Sequence, residues 1–408
     1  MRPEMNSPFR HSGSSLEGRT ILQIIPELDA GGAERTTIDI ADALTQAGAR
    51  ALVASQGGRL VSELQAKGGW WIPFPAKTKN PLHMLINVGR LEQLLRDEHV
   101  DIIHARSRAP AWVAYWAVRR TRTPFVTTYH GAYAGQSAFK TFYNSVMARG
   151  ETVIANSNFT SDRIARLHPF AADRIRVIPR GTDFRKFSPN AVDPQRVQHL
   201  REQWGVDSDQ RIVLLAARLT GWKGQKVLIE AAKKLHDRGL TDVSFVLAGD
   251  AQGRDSYVRE LDTRIAALGL KGIVRLVGHC ADMPAAFLAS SVVTVASTEP
   301  EAFGRSAVEA QAMGVPVVVT DLGAVPETVL APPEVESNAR TGWRIPPGDP
   351  QALADALENA LGLGATARDS LSTRARAHVV SQFSLERMCA DTLDVYTALL
   401  EAREQQSG

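Results

Sequence analysis

Residues 292–313 read VVTVASTEPEAFGRSAVEAQAM, and GVPVVVT follows directly over residues 314–320. Val292–Val295 and the run at 317–319 are short apolar segments, and between them Ala307, Ala310 and Met313 recur at the spacing of one helix face. The run at 317–319 is apolar throughout, as a strand covered on both faces requires, and Pro316 stands where a proline can open a strand. This pattern predicts a strand, a helix and a second strand running parallel to the first. The loop carries two carboxylates, Glu301 and Glu309, on either side of a helix start near Gly304. A helix start presents free N–H groups and the positive end of its dipole, which suits a phosphate leaving group. Carboxylates nearby can accept hydrogen bonds from ribose or sugar hydroxyls. Taken alone, the same pair also fits a capping residue and a surface glutamate.

The pattern repeats outward along all 408 residues. Strands are predicted at 21–25, 51–54, 71–74, 101–104, 125–128, 152–155 and 176–178, and again at 211–216, 243–248, 273–277, 292–295 and 317–319. Helical periodicity fills segments such as 34–46, 81–97, 161–167, 224–238 and 255–268. Strand and helix alternating in this way predict parallel sheets with helices on both faces. The series breaks between Lys186 and Gln210, where Pro189, Pro194, Gly205 and many charges fall. The expected organisation is a disordered tail over 1–18, one Rossmann-like domain over 19–188 and a second over 189–384. A terminal helix over 385–408 is expected to pack back across the junction. Ligands of such sheets bind beyond the carboxyl ends of the strands, so two domains facing one another would form a cleft with a substrate on each wall.

Composition excludes several classes. No apolar run is long enough to cross a bilayer, and the first 18 residues lack the apolar core of a secretory signal, so a cytoplasmic protein is expected. Cys280 and Cys389 are read as reduced thiols. Net charge is only +3, but it is unevenly divided. Residues 1–190 hold 25 Lys and Arg against 16 Asp and Glu, and the remainder holds 22 against 28. The surplus gathers in an Arg-rich stretch at 106–122. A basic first half suits an anionic acceptor or an anionic membrane surface. No interleaving of aromatic and basic residues of the single-strand-binding kind is evident, so nucleic acid is not expected.

Further candidates lie at strand ends. Arg218 and Lys223 follow the strand at 211–216, where two cations could neutralise a departing diphosphate. Gly31 and Gly32 allow close backbone approach to a ligand before a helix, although a simple turn has the same composition. The dinucleotide pattern G-x-G-x-x-G does not follow the first strand, which argues against a dehydrogenase. His130 closes the strand at 125–128 and could donate to a sugar hydroxyl. His104 and His279 also close strands and are read as structural. No D-x-D pair stands at a strand end, so no catalytic metal is expected.

Together these residues resemble the family-four glycosyltransferases of the two-domain GT-B fold. Glu301 to Glu309, with Phe303 and Gly304 inside, matches the family's E-x7-E signature. In order along the chain, Gly31-Gly32-Ala33-Glu34-Arg35, Tyr129-His130-Gly131, Ile178-Pro179-Arg180-Gly181 and Arg218 with Lys223-Gly224 match its other landmarks, over roughly residues 20 to 400. The resemblance implies transfer from a nucleotide-sugar donor with retention at the anomeric carbon and no cofactor. It implies Arg218 and Lys223 on the diphosphate, Glu309 on the ribose, and Glu301 with the backbone at Phe303 and Gly304 on the donor sugar. His130 would lie near the transferred sugar or the acceptor, and Gly31 and Gly32 would close over the diphosphate. The implied acceptor is an envelope glycan or lipid-linked molecule, as in lipopolysaccharide-core or exopolysaccharide assembly. A nucleotide-sugar 2-epimerase of the same fold, or a non-catalytic nucleotide-sugar-binding protein, is the alternative.

Overall fold

The computed structural model describes residues 16–29, 31–131 and 137–407. The chain forms two compact units: residues up to Gly181 together with Leu385 onward, and Thr182–Ser384.

The first unit holds β1 (Thr20–Ile24), β2 (Arg50–Ser55), β3 (Trp70–Pro73), β4 (Ile102–Ala105), β5 (Phe125–Tyr129), β6 (Thr152–Ala155) and β7 (Ile175–Val177). They form one parallel sheet in the order β3-β2-β1-β4-β5-β6-β7. The second unit holds β8 (Arg211–Ala216), β9 (Val243–Ala248), β10 (Val274–Gly278), β11 (Val292–Val295), β12 (Val317–Thr320) and β13 (Trp343–Ile345), in the order β10-β9-β8-β11-β12-β13. Both sheets are parallel throughout, so each unit is Rossmann-like. In each, strand order reverses once, between β1 and β4 and between β8 and β11. Loops diverge at such a point and leave a ligand site open at the strand ends.

Burial explains the apolar runs. Every residue of β1, β9 and β12 is buried, because helices cover both faces. The strand β13 does not figure among the expected strands. It is a three-residue edge strand with Arg344 at its centre, too short to show a period. Helix starts follow local chemistry: the Asn80 side chain accepts from the Leu82 and His83 N–H groups, with Pro81 in the first turn.

The connections between the units run through Gly181–Thr182 and Ser384–Leu385, not through residues 186–210. The prolines expected there as linker residues instead open the short helices Pro189–Ala191 and Pro194–Gln203 inside the second unit. Thr182 and Ser384 form a parallel bridge, and the Thr182 N–H donates to the Phe383 carbonyl. The terminal helix, Leu385–Ser407, belongs to the first unit. Its Tyr396 is fully buried there, with its hydroxyl 2.6 Å from His104 Nδ1. Of the expected tail, residues 1–15 lie outside the described residues, whereas Leu16 is buried in the first unit's core. No described helix is long and apolar enough to cross a membrane.

Candidate active site

In the second unit, the loop after β8 carries Arg218 and Lys223 toward the loop after β11. Gly224 makes this possible. Its φ is +79°, and a Cβ there would stand 1.9 Å from the Ala296 carbonyl oxygen. That close approach brings Lys223 Nζ to 2.5 Å from Glu301 Oε1, and the Ser297 hydroxyl donates to the same oxygen at 2.5 Å. The pair is largely enclosed, with about 15% and 12% of the two side chains exposed. The Glu301 backbone is held in turn by Gly323, where a Cβ would meet the Glu301 carbonyl oxygen at 2.4 Å.

Gly304, at φ +89°, turns the chain into the helix Arg305–Ala312. Glu309 lies one turn in, is buried, and accepts from Arg305 Nη2 at 2.7 Å. Glu309 and the exposed Arg218 line one cavity of about 280 Å³ with Gly249, Asp250, His279 and Cys280. The Phe303 ring is buried edge-on against Phe383 at 5.3 Å and is taken up by the core. His279, read as structural from the sequence, faces this cavity. Its place after β10 parallels that of His130 after β5, which is the signal that could have singled it out. Cys280, read from the sequence only as a reduced thiol, and Arg305, which lies inside the Glu301–Glu309 segment, were given no place in the site. Cys280 and Cys389 are both free thiols.

In the first unit, Gly31 is extended and precedes the helix Gly32–Gln46. A Cβ on Gly32 would stand 2.0 Å from Arg180 Nη1, so the missing side chain is where the guanidinium sits. Arg180 Nη2 lies 3.1 Å from His130 Nδ1. Gly32, His130 and Arg180 therefore meet although they are far apart in sequence. A guanidinium only donates, so Nδ1 accepts and the neutral ring carries its proton on Nε2. That atom is closed off from solvent and has no partner among the described residues. It is a buried donor whose acceptor is not among the described residues. Both amide atoms of buried Asn156 are likewise unpartnered among the described residues, and they face a cavity of about 20 Å³ shared with His130, Arg106 and Arg180. A water or a ligand hydroxyl fits that space.

The Arg-rich stretch is not uniformly a surface. Arg106 is buried and donates through Nε and Nη2 to Gln23 Oε1 at 3.0 and 2.5 Å. His104 is a satisfied core histidine, bonded to Tyr396 and, at 2.7 Å, to Thr128.

Burial, reinforced by the Arg180 and Arg106 guanidiniums, holds His130 well below the usual imidazole range, and burial followed by Arg106 does the same to His104. In the unfolded chain both titrate near about 6.5. Below that pH the unfolded chain binds more protons than the folded one, so stability is full above it and falls as pH drops. The melting temperature by calorimetry is expected to fall between about pH 7.5 and about pH 5.5, and to fall less in His130→Gln. A melting temperature with the same pH dependence in both proteins would show that His130 is not held neutral.

Comparison with known proteins bears on this geometry. Residues 30–186 match the model of Glycosyltransferase Family 4, and residues 197–378 match that of Glycosyl transferases group 1. A D-inositol 3-phosphate glycosyltransferase of Jonesia denitrificans is 26% identical over 98% of this chain and 96% of its own. A solved glycosyltransferase from Rickettsia africae ESF-5 is 34% identical, with a TM-score of 0.84 over 94% of this chain and 99% of its own. Anabaena HepE, solved in complex with UDP and glucose, is 27% identical, with a TM-score of 0.81 over 93% of this chain and 100% of its own.

Proposed function

This chain belongs to the family-four glycosyltransferases of the GT-B class, and from that premise we propose that it is a retaining hexosyltransferase. It moves a sugar from a nucleoside diphosphate to a cell-envelope glycan or lipid-linked acceptor, in lipopolysaccharide-core or exopolysaccharide assembly. It works in the cytoplasm at the inner face of an anionic membrane. The observation that carries this reading is the enclosed Lys223–Glu301 pair beside the start of the Arg305–Ala312 helix. A cation held beside a helix N-terminus is placed to receive negative charge as it develops.

Lys223 and Arg218 stabilise the leaving diphosphate, and Glu309 binds the nucleotide ribose through the cavity it shares with Arg218. Glu301 and the Phe303–Gly304 backbone hold the donor sugar. Gly31 and Gly32 approach the diphosphate, and His130 donates from Nε2 to an oxygen of the transferred sugar or the acceptor. The acceptor oxygen bonds to the anomeric carbon on the face from which the diphosphate departs. The bond from that carbon to the phosphate oxygen breaks, and the acceptor proton passes to the departing phosphate. Two protein cations supply the neutralisation that a metal supplies elsewhere, so no metal is needed.

The ligands named for HepE make UDP-glucose the first donor to test. A panel of nucleotide sugars is expected to yield one that binds by calorimetry and is slowly hydrolysed to the sugar and the nucleoside diphosphate. Binding by none of them would overturn the donor assignment. Hydrolysis is expected to survive chelator treatment; complete loss, restored by manganese or magnesium, would overturn metal independence.

A further inference from the structure

Between Ile102 and Gly150 the chain has no Asp or Glu, while Arg or Lys stands at 106, 108, 119, 120, 122, 140 and 149. Some of these charges are used internally: Arg106 is buried and Arg120 pairs with Glu92. Others lie against aromatic rings that the fold, rather than the order of the sequence, brings beside them. On the helix Arg108–Thr121, Trp112, Tyr115 and Trp116 form a chain of rings with centroids 6.0 and 5.3 Å apart. Phe142, on the neighbouring helix Ala138–Asn144, continues it at 5.4 Å from Trp112.

Guanidiniums lie over these rings. Arg119 stands 5.6 Å from Tyr115 and 5.7 Å from Trp116. Arg149 stands 5.5 Å from both Tyr115 and Phe170, joining the turn Pro169–Arg174 to the same face. The outer rings are open to solvent: Trp116 is 50% exposed, Phe142 58% and Phe170 54%. The cations here bond to neutral groups, Arg119 to the Tyr115 hydroxyl, Arg149 to the Ser145 hydroxyl and Arg174 to backbone carbonyls.

Burying this face in a folded core would strand its cations, and leaving it in water exposes three large rings. A phospholipid headgroup layer satisfies both, because phosphates pair with guanidiniums while amphipathic rings sit at the acyl boundary. Charge complementarity names an anionic layer. Resting on the membrane-face acceptor proposed above, we infer that the face formed by Arg108–Thr121, Ala138–Asn144 and Pro169–Arg174 docks this chain on an anionic lipid bilayer. It lies on the unit that carries His130, and one of its helices follows β5 through His130.

The test is co-sedimentation of the full chain with vesicles of phosphatidylcholine alone or mixed with phosphatidylglycerol. The wild type is expected to bind the mixed vesicles and to release as salt rises. The double variant Trp116→Ser, Phe142→Ser is expected to lose at least about tenfold in partitioning, and Arg119→Glu at least about fivefold. All three side chains point to solvent, so nucleotide binding and donor hydrolysis should be unchanged. Val380→Ser removes an exposed apolar residue from the helix Ala365–Gln382 of the second unit and should leave partitioning unchanged. Equal binding by the wild type and the face variants would overturn the docking face while leaving membrane association standing. So would a wild type that self-associates without lipid through this face, with vesicle binding unchanged in the variants. No binding of the wild type to either vesicle would overturn the membrane reading itself.

Discussion

Replacing Lys223 or Arg218 with Ala is expected to lower donor turnover by about two to three orders of magnitude. A departing nucleoside diphosphate gathers negative charge in the transition state, and a preorganised cation stabilises that charge more than the ground state. The two cations are held differently. Lys223 is fixed by Glu301 at 2.5 Å and lies against the Trp222 ring at 4.3 Å, so little reorganisation is required of it. Arg218 is exposed and lines the cavity, and its carbonyl accepts from Gln225 at 2.9 Å. Lys223→Ala also leaves the Glu301 carboxylate with Ser297 as its remaining partner, which adds repulsion toward a bound diphosphate. Lys223→Ala is therefore expected to weaken nucleotide affinity as well, and Arg218→Ala to act mainly on turnover. Steady-state hydrolysis and calorimetry on both variants separate these effects. Near-normal turnover in both would remove the cations from the mechanism.

Replacing His130 with Ala is expected to impair transfer by about two orders of magnitude while leaving nucleotide affinity near normal. Its free Nε2–H belongs to the first unit and is assigned to the sugar or acceptor. Glu309→Ala is expected to do the reverse, weakening nucleotide affinity by about tenfold or more. It removes the buried acceptor in the cavity and the ion pair that acceptor makes with Arg305. Measuring nucleotide affinity beside transfer rate on both variants decides the division of labour. Loss of affinity in His130→Ala with affinity kept in Glu309→Ala would reverse it.

Much of this architecture is legible in local pattern. The strands at 152–155, 211–216, 243–248 and 292–295 are where the apolar runs place them, since a strand buried on both faces has no choice of composition. The helix Pro81–Asp97 also has its expected bounds, marked by an Asn cap and a proline. Legibility ends where an element is short or polar. The edge strand β13 has too few residues for a period, and prolines at 189 and 194 read equally as linker or as helix starts.

The sequence by itself determined that this chain builds two parallel sheets, that Gly31, Gly32, His130, Arg218, Lys223 and Glu301 stand at strand ends or helix starts, and that Glu309 lies within the helix that follows Gly304. Those properties follow from periodicity and backbone freedom within a few residues. Only the tertiary structure decided which of them meet. Lys223 finds Glu301 because β8 and β11 are neighbours at the reversal of strand order, 78 residues apart in the chain. Arg180, noted in the sequence only within a motif, fills the space above Gly32 and sets the His130 tautomer across 50 residues. Arg106, which adds to the basic count like its neighbours, is instead buried against Gln23 of β1, 83 residues away. Charge and spacing are properties of one segment. Pairing is set by sheet order, which brings segments together from parts of the chain that share no local pattern.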